Sequence, residues 1–393
     1  MPSQDKASVS VLQGIGEVAA SDWDRVATPD AMPVNPFVCH AFLKALEDAG
    51  TVCDRTGWVP QHLVLDEGGS VTGVMPCYLK FHSRGEYIFD YGWADAYERA
   101  GGQYYPKLQA AVPFTPVPGR RLLVQSGDGE EERERMLATA GIELAGRRGA
   151  SSLHITFVSE GEWKRLGQQG LLQRTDQQFH WQNAGYGSFE DFLGSLASRK
   201  RKAVRKEREQ ALESGLTIEW VTGSGITQAH WDTFFKFYMD TGSRKWGTPY
   251  LNRKFFSLLG DAMADRCLLV MAKRGTRYVA GALNLIGGDC LYGRYWGAIE
   301  HHPCLHFEIC YYQAIDFAIA HGLQRVEAGA QGEHKLARGY MPTPTYSLHW
   351  IRDAGFRKAV ARYLIEERTQ MLHQRAALAE YGPYKKAQQE SDA

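Results

Sequence analysis

The chain repeats one order of predicted elements after about 200 residues, and this repeat constrains its fold more strongly than any local propensity. In the first copy, a helix is followed by a hairpin of residues 62–67 and 71–80. In the second copy, a similar helix is followed by a hairpin of residues 267–273 and 279–286. Glycines occupy the predicted turn of both hairpins, as tight turns favour. The chain is therefore predicted to consist of two similar domains.

The repeat continues beyond the hairpins. Each copy adds an aromatic strand, a helix that opens with two tyrosines and a short strand. In the first copy, these are residues 87–93, the helix opening with Tyr104-Tyr105, and residues 121–124. In the second copy, they are residues 291–296, the helix opening with Tyr311-Tyr312, and residues 325–328. This order predicts an α+β (mixed α/β) fold in which each domain is a mixed, mostly antiparallel sheet flanked by helices. It is the order of the GNAT acyltransferase fold, so two tandem GNAT-like domains are expected, at 1–174 and 175–393. In the second, we predict a basic helix near 199–213 and a C-terminal helix near 356–380.

Composition excludes several classes of protein. The 45 basic and 45 acidic residues cancel, so a nucleic acid or membrane surface would need a local patch. The seven cysteines are scattered without a C-x-x-C pair, which argues against a disulfide framework or zinc ribbon and favours a reducing cytoplasm. No apolar window has the length of a membrane span or of a signal-peptide core. A cytoplasmic protein without a membrane span is predicted.

A glycine-rich segment, residues 326–340, carries the main candidates for chemistry. It follows a predicted strand and crowds ionisable side chains between glycines that allow close approach to a ligand. Such side chains can supply a base, donors for an oxyanion and a proton source for a leaving group. The candidate catalytic residues are Glu333, His334, Lys335, Glu308 and Glu327. A solvated loop with turn glycines is the alternative, and Glu308 is equally explained as an acid in a helix first turn.

Candidate substrate contacts extend from the same segment to three others. Arg338 and Lys335 suit an anion, although salt bridges to neighbouring acids would explain them too. Arg294 on an otherwise apolar strand is either a ligand contact or half of a buried ion pair. The full set is Arg338, Gly339, Tyr340, Gln331, Gly332, Arg294, His306, Tyr312, Arg244, Lys245 and Trp246. His306 and Cys310 allow a metal alternative, but no second ligand pair has the usual spacing, so no metal is predicted.

A basic run in the second half is the local patch that could bind RNA. Its candidate phosphate contacts are Arg199, Lys200, Arg201, Lys202, Arg205 and Lys206, which fall on neighbouring helical turns. A solvated helix face is the alternative, since Glu207, Glu209 and Glu213 dilute the charge and no aromatic residue is interleaved.

Several stretches of the sequence carry a family resemblance. They include Asn35-Pro36-Phe37, residues 104–108, residues 111–116, residues 291–297 and the glycine-rich segment. Over nearly its whole length the chain resembles the FemAB-like predicted N-acyltransferases, a group labelled peptidoglycan biosynthesis or recognition proteins. The resemblance implies tandem GNAT-like domains and transfer of an acyl group to an amine, on an envelope precursor or a small metabolite.

The resemblance leaves two candidate acyl donors, acyl-CoA and aminoacyl-tRNA. GNAT enzymes that bind acyl-CoA carry a glycine-rich turn before the helix, whereas residues 298–305 contain no glycine. The segment His334-Lys335 with Arg338-Gly339-Tyr340, together with the basic run, is similar to features of Fem-type aminoacyltransferases. Aminoacyl-tRNA is therefore the favoured cosubstrate and acyl-CoA the alternative, with no bound cofactor predicted. A non-catalytic protein that recognises peptidoglycan fragments is the alternative from another class.

Overall fold

The computed structural model describes residues 7–245, 249–330 and 332–385. The chain forms two compact units, each built from separate stretches of sequence. Within the described residues, the first unit takes the chain up to Asp176 with Tyr250–Met263 and Pro344–Leu372, and the second takes the remainder.

The strands and helices of the two units are as follows. The strands are β1 Ser8–Leu12, β2 Trp58–Pro60, β3 His62–Glu67, β4 Ser70–Met75, β5 Cys77–Lys80, β6 Lys107–Ala110, β7 Leu123–Val124, β8 Ser152–Val158, β9 Leu172–Gln182, β10 Leu216–Thr222, β11 Cys267–Arg274, β12 Arg277–Ile286, β13 Cys290–Ala298, β14 Arg325–Glu327 and β15 Met341–Ile351. The helices are α1 Ala20–Ala27, α2 His40–Asp48, α3 Tyr91–Arg99, α4 Glu130–Arg147, α5 Glu160–Gln168, α6 Phe189–Ser195, α7 Ser198–Leu212, α8 Gln228–Lys245, α9 Arg253–Met263, α10 Leu305–Phe307, α11 Gln313–Ala320 and α12 Ala354–Glu380.

The first unit contains two groups of strands. One has the order β1-β3-β4-β7 and is antiparallel, and the other runs from the second half of β15 through β8, β6 and β5 to β2. Helix α4 covers β3, β4 and β8 with the apolar face formed by Leu137, Gly141 and Leu144. Three glutamates in its first turn and Arg147 in its last complement the helix dipole.

The second unit is a sheet in the order β10-β11-β12-β13-β14, continued by the C-terminal half of β9. Its first four strands are antiparallel, whereas β14 is parallel to β13. The crossover between β13 and β14 is one helical stretch in which the π-helical turn Glu308–Tyr312 joins α10 to α11. The loop after β14 then forms the 3-10 helix Glu333–Arg338. Helix α7 contacts α10, the π turn and this 3-10 helix, which brings the predicted site together.

The repeat is present, but part of its predicted alignment is wrong. Residues 87–93 do not form a strand, since α3 begins at Tyr91, and Tyr104-Tyr105 lie in a loop rather than opening a helix. Pro106 restricts Tyr105 to extended backbone, and burial of the Tyr104 ring overrides the periodic pattern. The crossover helix of the first copy is α4 instead. The segment 77–122 is therefore an insertion relative to the second copy.

No helix within the described ranges has both the length and the apolar character that a bilayer crossing requires.

Candidate functional site

The π turn between α10 and α11 anchors the site through a buried ion pair. Glu308 is fully buried, and both of its carboxylate oxygens accept hydrogen bonds from Arg208 of α7, at 3.0 and 3.1 Å. Gln313 donates a further hydrogen bond to Glu308 at 2.7 Å, and Arg208 also pairs with Asp316. Extra residues inserted into a helix as a π turn re-aim side chains and are frequent at functional sites. Glu308 is thus held as an anchor between α7 and the crossover helix.

A second ion pair fixes Arg338 beside a cavity. Its guanidinium donates to both carboxylate oxygens of Glu207, at 2.7 and 3.0 Å, and lies 3.4 Å from the centre of the Phe307 ring. The Tyr312 hydroxyl donates to the same carboxylate. A cavity of about 310 Å³ opens here, lined by Arg199, Lys200, Ala203, Val204, Glu207, Tyr312, Ala337 and Arg338. Arg338, predicted as an anion contact, is therefore paired with an acid.

The 3-10 helix buries Lys335 and exposes the two residues before it. Gly332 and Gly339, at each end, adopt left-handed backbone with φ of 114° and 95°, so the chain reverses on both sides of the helix. Leu336 packs into the core while Glu333 and His334 face solvent. Lys335 is 2% exposed and donates from Nζ to the Gly329 carbonyl at 3.0 Å. Burial lowers the pKa of Lys335 to about 8, against an opposing effect of Cys310.

His334 and Tyr311 form a pair of an imidazole and a phenol. His334 Nε2 and the Tyr311 hydroxyl are 2.9 Å apart, and the His334 ring also packs against Phe307. Tyr311 belongs to the π turn, so the turn and the 3-10 helix meet through this contact. Burial raises the pKa of Tyr311, which keeps its hydroxyl protonated. The pair offers one proton-carrying group open to solvent and one that is largely buried.

Glu327 lies at the end of β14 opposite His180 of β9. The carboxylate is 4% exposed; Oε1 accepts from Arg325 at 3.2 Å, and Oε2 has no hydrogen-bond partner within the described part of the chain. Burial lowers the pKa of His180, and the charge of Glu327 opposes that change while Lys335 adds to it. A buried carboxylate oxygen that lacks a donor is costly, so Oε2 marks a position where a ligand or proton donor would be stabilised.

A larger cavity of about 560 Å³ lies beyond the end of β13. Its walls include Trp296, His306 and Phe307, and the Trp296 and His306 rings are 5.2 Å apart. Among the side chains that the structure describes, the lining includes no lysine or arginine, whereas it includes Glu300, which pairs with Arg274 at 2.8 Å. This is the turn without glycine, so the walls of the cavity are aromatic and imidazole rather than cationic.

The predicted phosphate-binding helix is α7. Arg199, Lys202, Arg205 and Lys206 are exposed, whereas Lys200 and Arg201 are half-buried. Arg205 pairs with Glu190 at 2.5 Å, which neutralises part of that charge. Lys202 and Lys206 lie on the side of α7 away from Glu207 and Arg208, whose side chains reach the π turn and the 3-10 helix. Arg199 instead lines the cavity beside Glu207.

The remaining predicted substrate contacts lie on β13, in the core of the second unit and at the end of α8, or fall outside the described residues. Arg294 lies with its guanidinium 5.2 Å from the Tyr295 ring, and the buried Tyr340 hydroxyl donates to the Tyr311 carbonyl at 3.1 Å. A side chain at Gly339 would meet Phe192 at 2.7 Å, so glycine is needed there. Arg244 and Lys245 end α8, while Trp246 and Gln331 lie outside the described residues. Across the described ranges, no set of three histidine, cysteine, aspartate or glutamate residues is arranged to hold a metal.

Sequence reasoning missed Glu207, Arg208 and Tyr311. The two α7 residues were counted only as charges within or beside a basic run. Their helical offset from Val204, the buried position of the same helix, is the signal that could have identified them, because i, i+3 and i+4 share a face.

The first unit buries a charged cluster that the sequence did not indicate. Lys107 is fully buried and donates to Glu86 at 2.6 Å, to Asp90 at 2.5 Å and to Ser83 at 2.8 Å. Lys80 is also fully buried, 3.6 Å from Glu86, with its ammonium 3.5 Å from the centre of the Trp58 ring. Burial lowers the pKa of Lys80 to about 7, and the charge of Lys107 adds to that effect.

Known structures resemble this one in fold. FemX aligns over 88% of this chain and 98% of its own with a TM-score of 0.54 and 13% identity. The C-terminal domain of a protein described as a lysylphosphatidylglycerol synthetase from Agrobacterium fabrum aligns over 89% and 95%, with a TM-score of 0.51 and 10% identity. L-PGS from Bacillus licheniformis aligns over 84% and 98%, with a TM-score of 0.50 and 8% identity. At such low sequence identity these likenesses concern the fold alone, and together with the topology described above they confirm the predicted mixed α/β fold.

None of the curated proteins matches the chain by sequence. The sequence profile of the FemAB-like family, described as peptidoglycan biosynthesis/recognition, matches residues 14–386. The predicted resemblance is confirmed, and the chain belongs to the FemAB-like family.

Proposed function

We propose that this protein is an N-acyltransferase that moves an aminoacyl group from aminoacyl-tRNA to an amine of an envelope precursor or a small metabolite. The observation that carries the proposal is the cavity where α7, Tyr312 of the π turn and Arg338 of the 3-10 helix meet. Exposed cations on α7 supply the salt-dependent attraction for phosphates that RNA binding needs. The candidate catalytic residues Glu333, His334 and Lys335 belong to the same 3-10 helix as Arg338.

The reaction forms a bond between the amine nitrogen and the ester carbonyl carbon and breaks the bond from that carbon to the ribose oxygen. The amine gives up a proton, and the ribose oxygen receives one. Glu333 or His334 takes the amine proton, because both are exposed on the 3-10 helix and His334 is already paired with Tyr311. The buried ammonium of Lys335 stabilises the oxyanion, since a fixed cation in a buried site acts more strongly than in water. Much of the acceleration then comes from holding the two substrates in line.

The larger cavity accepts the aminoacyl end of the donor. Its volume of about 560 Å³ lies in the range of small-molecule pockets, and its aromatic and imidazole walls suit an uncharged or planar group. The same walls disfavour the pyrophosphate of acyl-CoA, because Glu300 lies where a GNAT enzyme has glycine N–H groups. Acyl-CoA therefore ranks second among the donors.

A transfer assay with two labelled donors tests the proposal. Mixed aminoacyl-tRNA and acetyl-CoA are offered separately with a pool of amine acceptors, using the parent, Lys335→Met and Lys236→Ala, an exposed lysine on α8, as the matched control. The proposal predicts label transfer from tRNA that is lost in Lys335→Met and kept in Lys236→Ala. Transfer from acetyl-CoA would favour the second donor. Binding of peptidoglycan fragments without transfer from either donor would contradict the proposal and favour a recognition role, which the family description also allows.

A further inference from the structure

Among the described residues that line the cavity between α7 and the 3-10 helix, Glu207 is the acid. Its carboxylate accepts hydrogen bonds from two N–H groups of the Arg338 guanidinium and from the Tyr312 hydroxyl. Three donors thus converge on one carboxylate, which is 25% exposed. Bidentate pairs of this kind fix direction as well as distance. Arg338 also donates to the His334 carbonyl at 2.6 Å, so the position of its guanidinium sets the backbone of the candidate catalytic residues.

The adjacent residue of α7 makes the matching contact to the crossover helix. Arg208 holds Glu308 of the π turn, while Glu207 holds Tyr312 at the other end of that turn. Two consecutive residues thus connect α7 to both elements that carry candidate catalytic groups. The opposite side of α7 presents Lys202 and Lys206 to solvent.

We propose that Glu207 is a positioning residue that couples RNA binding on α7 to the geometry of the 3-10 helix, by holding Arg338 and Tyr312. The inference rests on the proposed function for its catalytic readout. Glu207 lies on the side of α7 away from Lys202 and Lys206, and a carboxylate adds nothing to phosphate affinity. Its presence is therefore explained by the guanidinium and the hydroxyl that it orients. When phosphates displace α7, the Glu207 carboxylate transmits that displacement to Arg338 and hence to His334 and Lys335.

The effect of a substitution on RNA binding and on kcat distinguishes this positioning role from a purely electrostatic one. Glu207→Gln removes a negative charge, so a purely electrostatic neighbour predicts tighter tRNA binding with kcat unchanged. A positioning residue predicts that kcat falls about tenfold to hundredfold while KM for tRNA stays the same or decreases, because misplacing catalytic groups costs rate rather than binding. Glu209→Gln is the matched control, since Glu209 is an exposed glutamate of the same helix.

Amide hydrogen exchange provides the second readout and does not depend on activity. In Glu207→Gln, amides of residues 335–340 are expected to exchange faster than in the parent, while Glu209→Gln leaves them unchanged. Equal exchange in the two variants, or an unchanged kcat in Glu207→Gln, would overturn the proposal. If the parent transfers nothing from either donor, the proposed function fails, and the exchange comparison still decides whether Glu207 holds the 3-10 helix.

Discussion

Arg208 donates hydrogen bonds to both carboxylate oxygens of Glu308, and the acid is fully buried while the guanidinium is 25% exposed. Replacing Arg208 with alanine leaves a buried carboxylate without its cation. The expected loss in the free energy of unfolding is about 3 kcal/mol, the lower end for breaking a buried pair. Urea unfolding of the Arg208→Ala variant measures it.

Arg205→Ala is the control for that loss, because Arg205 forms an exposed pair with Glu190 on the same helix. Its stability is expected to change by less than about 1 kcal/mol. Equal losses for the two variants would mean that Glu308 is not held by Arg208 in solution.

If the proposed transfer reaction depends on the Lys335 ammonium, its rate has a characteristic dependence on pH. Burial lowers the pKa of Lys335 to about 8, so the ammonium is present near neutral pH and is lost as the pH rises through 8. If the ammonium stabilises the oxyanion, kcat falls over this range. In Lys335→Arg, whose guanidinium stays charged, the fall is expected at higher pH even if the rate is lower overall. A kcat in the parent that rises above pH 8 would instead identify Lys335 as a base.

In the second unit, the sequence predicted strands from local patterns but did not predict the side chains that support the candidate site. The β11 and β12 hairpin was predicted because alternating apolar residues surround a glycine turn, and the prediction is confirmed. Lys335 was selected from its glycine-rich context, but its burial depends on packing of the 3-10 helix, which no local pattern contains. Glu207 and Arg208 were missed because their partners lie 100 or more residues away. In the first unit, aromatic residues 87–93 have the local pattern of a strand, but Asp90 is buried and accepts hydrogen bonds from Tyr104 and Lys107, contacts that this local pattern does not contain.

RNA binding to α7 is expected to depend on its exposed cations and on salt. Lys202→Ala and Lys206→Ala each remove an exposed charge, so each should weaken tRNA binding and reduce the slope of log affinity against log salt by about one at most. Lys358→Ala, an exposed lysine of α12, is the control and should leave the slope unchanged. Filter binding at several salt concentrations measures all three. A slope that is unaffected by both α7 variants would remove this helix from the RNA-binding surface.

Lys80 makes the stability of the protein depend on pH in a direction that can be predicted. Its pKa in the folded protein is about 7, against 10.5 for an ordinary lysine, because burial and Lys107 oppose the charge more than Glu86 favours it. Between these pH values the unfolded chain binds more protons than the folded chain, so this lysine makes the free energy of unfolding increase as the pH rises. The contribution is at most about 1.4 kcal/mol per pH unit. Lys80→Met removes it, so the stability difference between parent and variant should shift in favour of the parent from pH 7 to pH 9, whereas exposed Lys44→Met should show no such shift. Urea unfolding at both pH values measures this. The same change in the free energy of unfolding with pH for the parent and Lys80→Met would contradict a neutral buried Lys80.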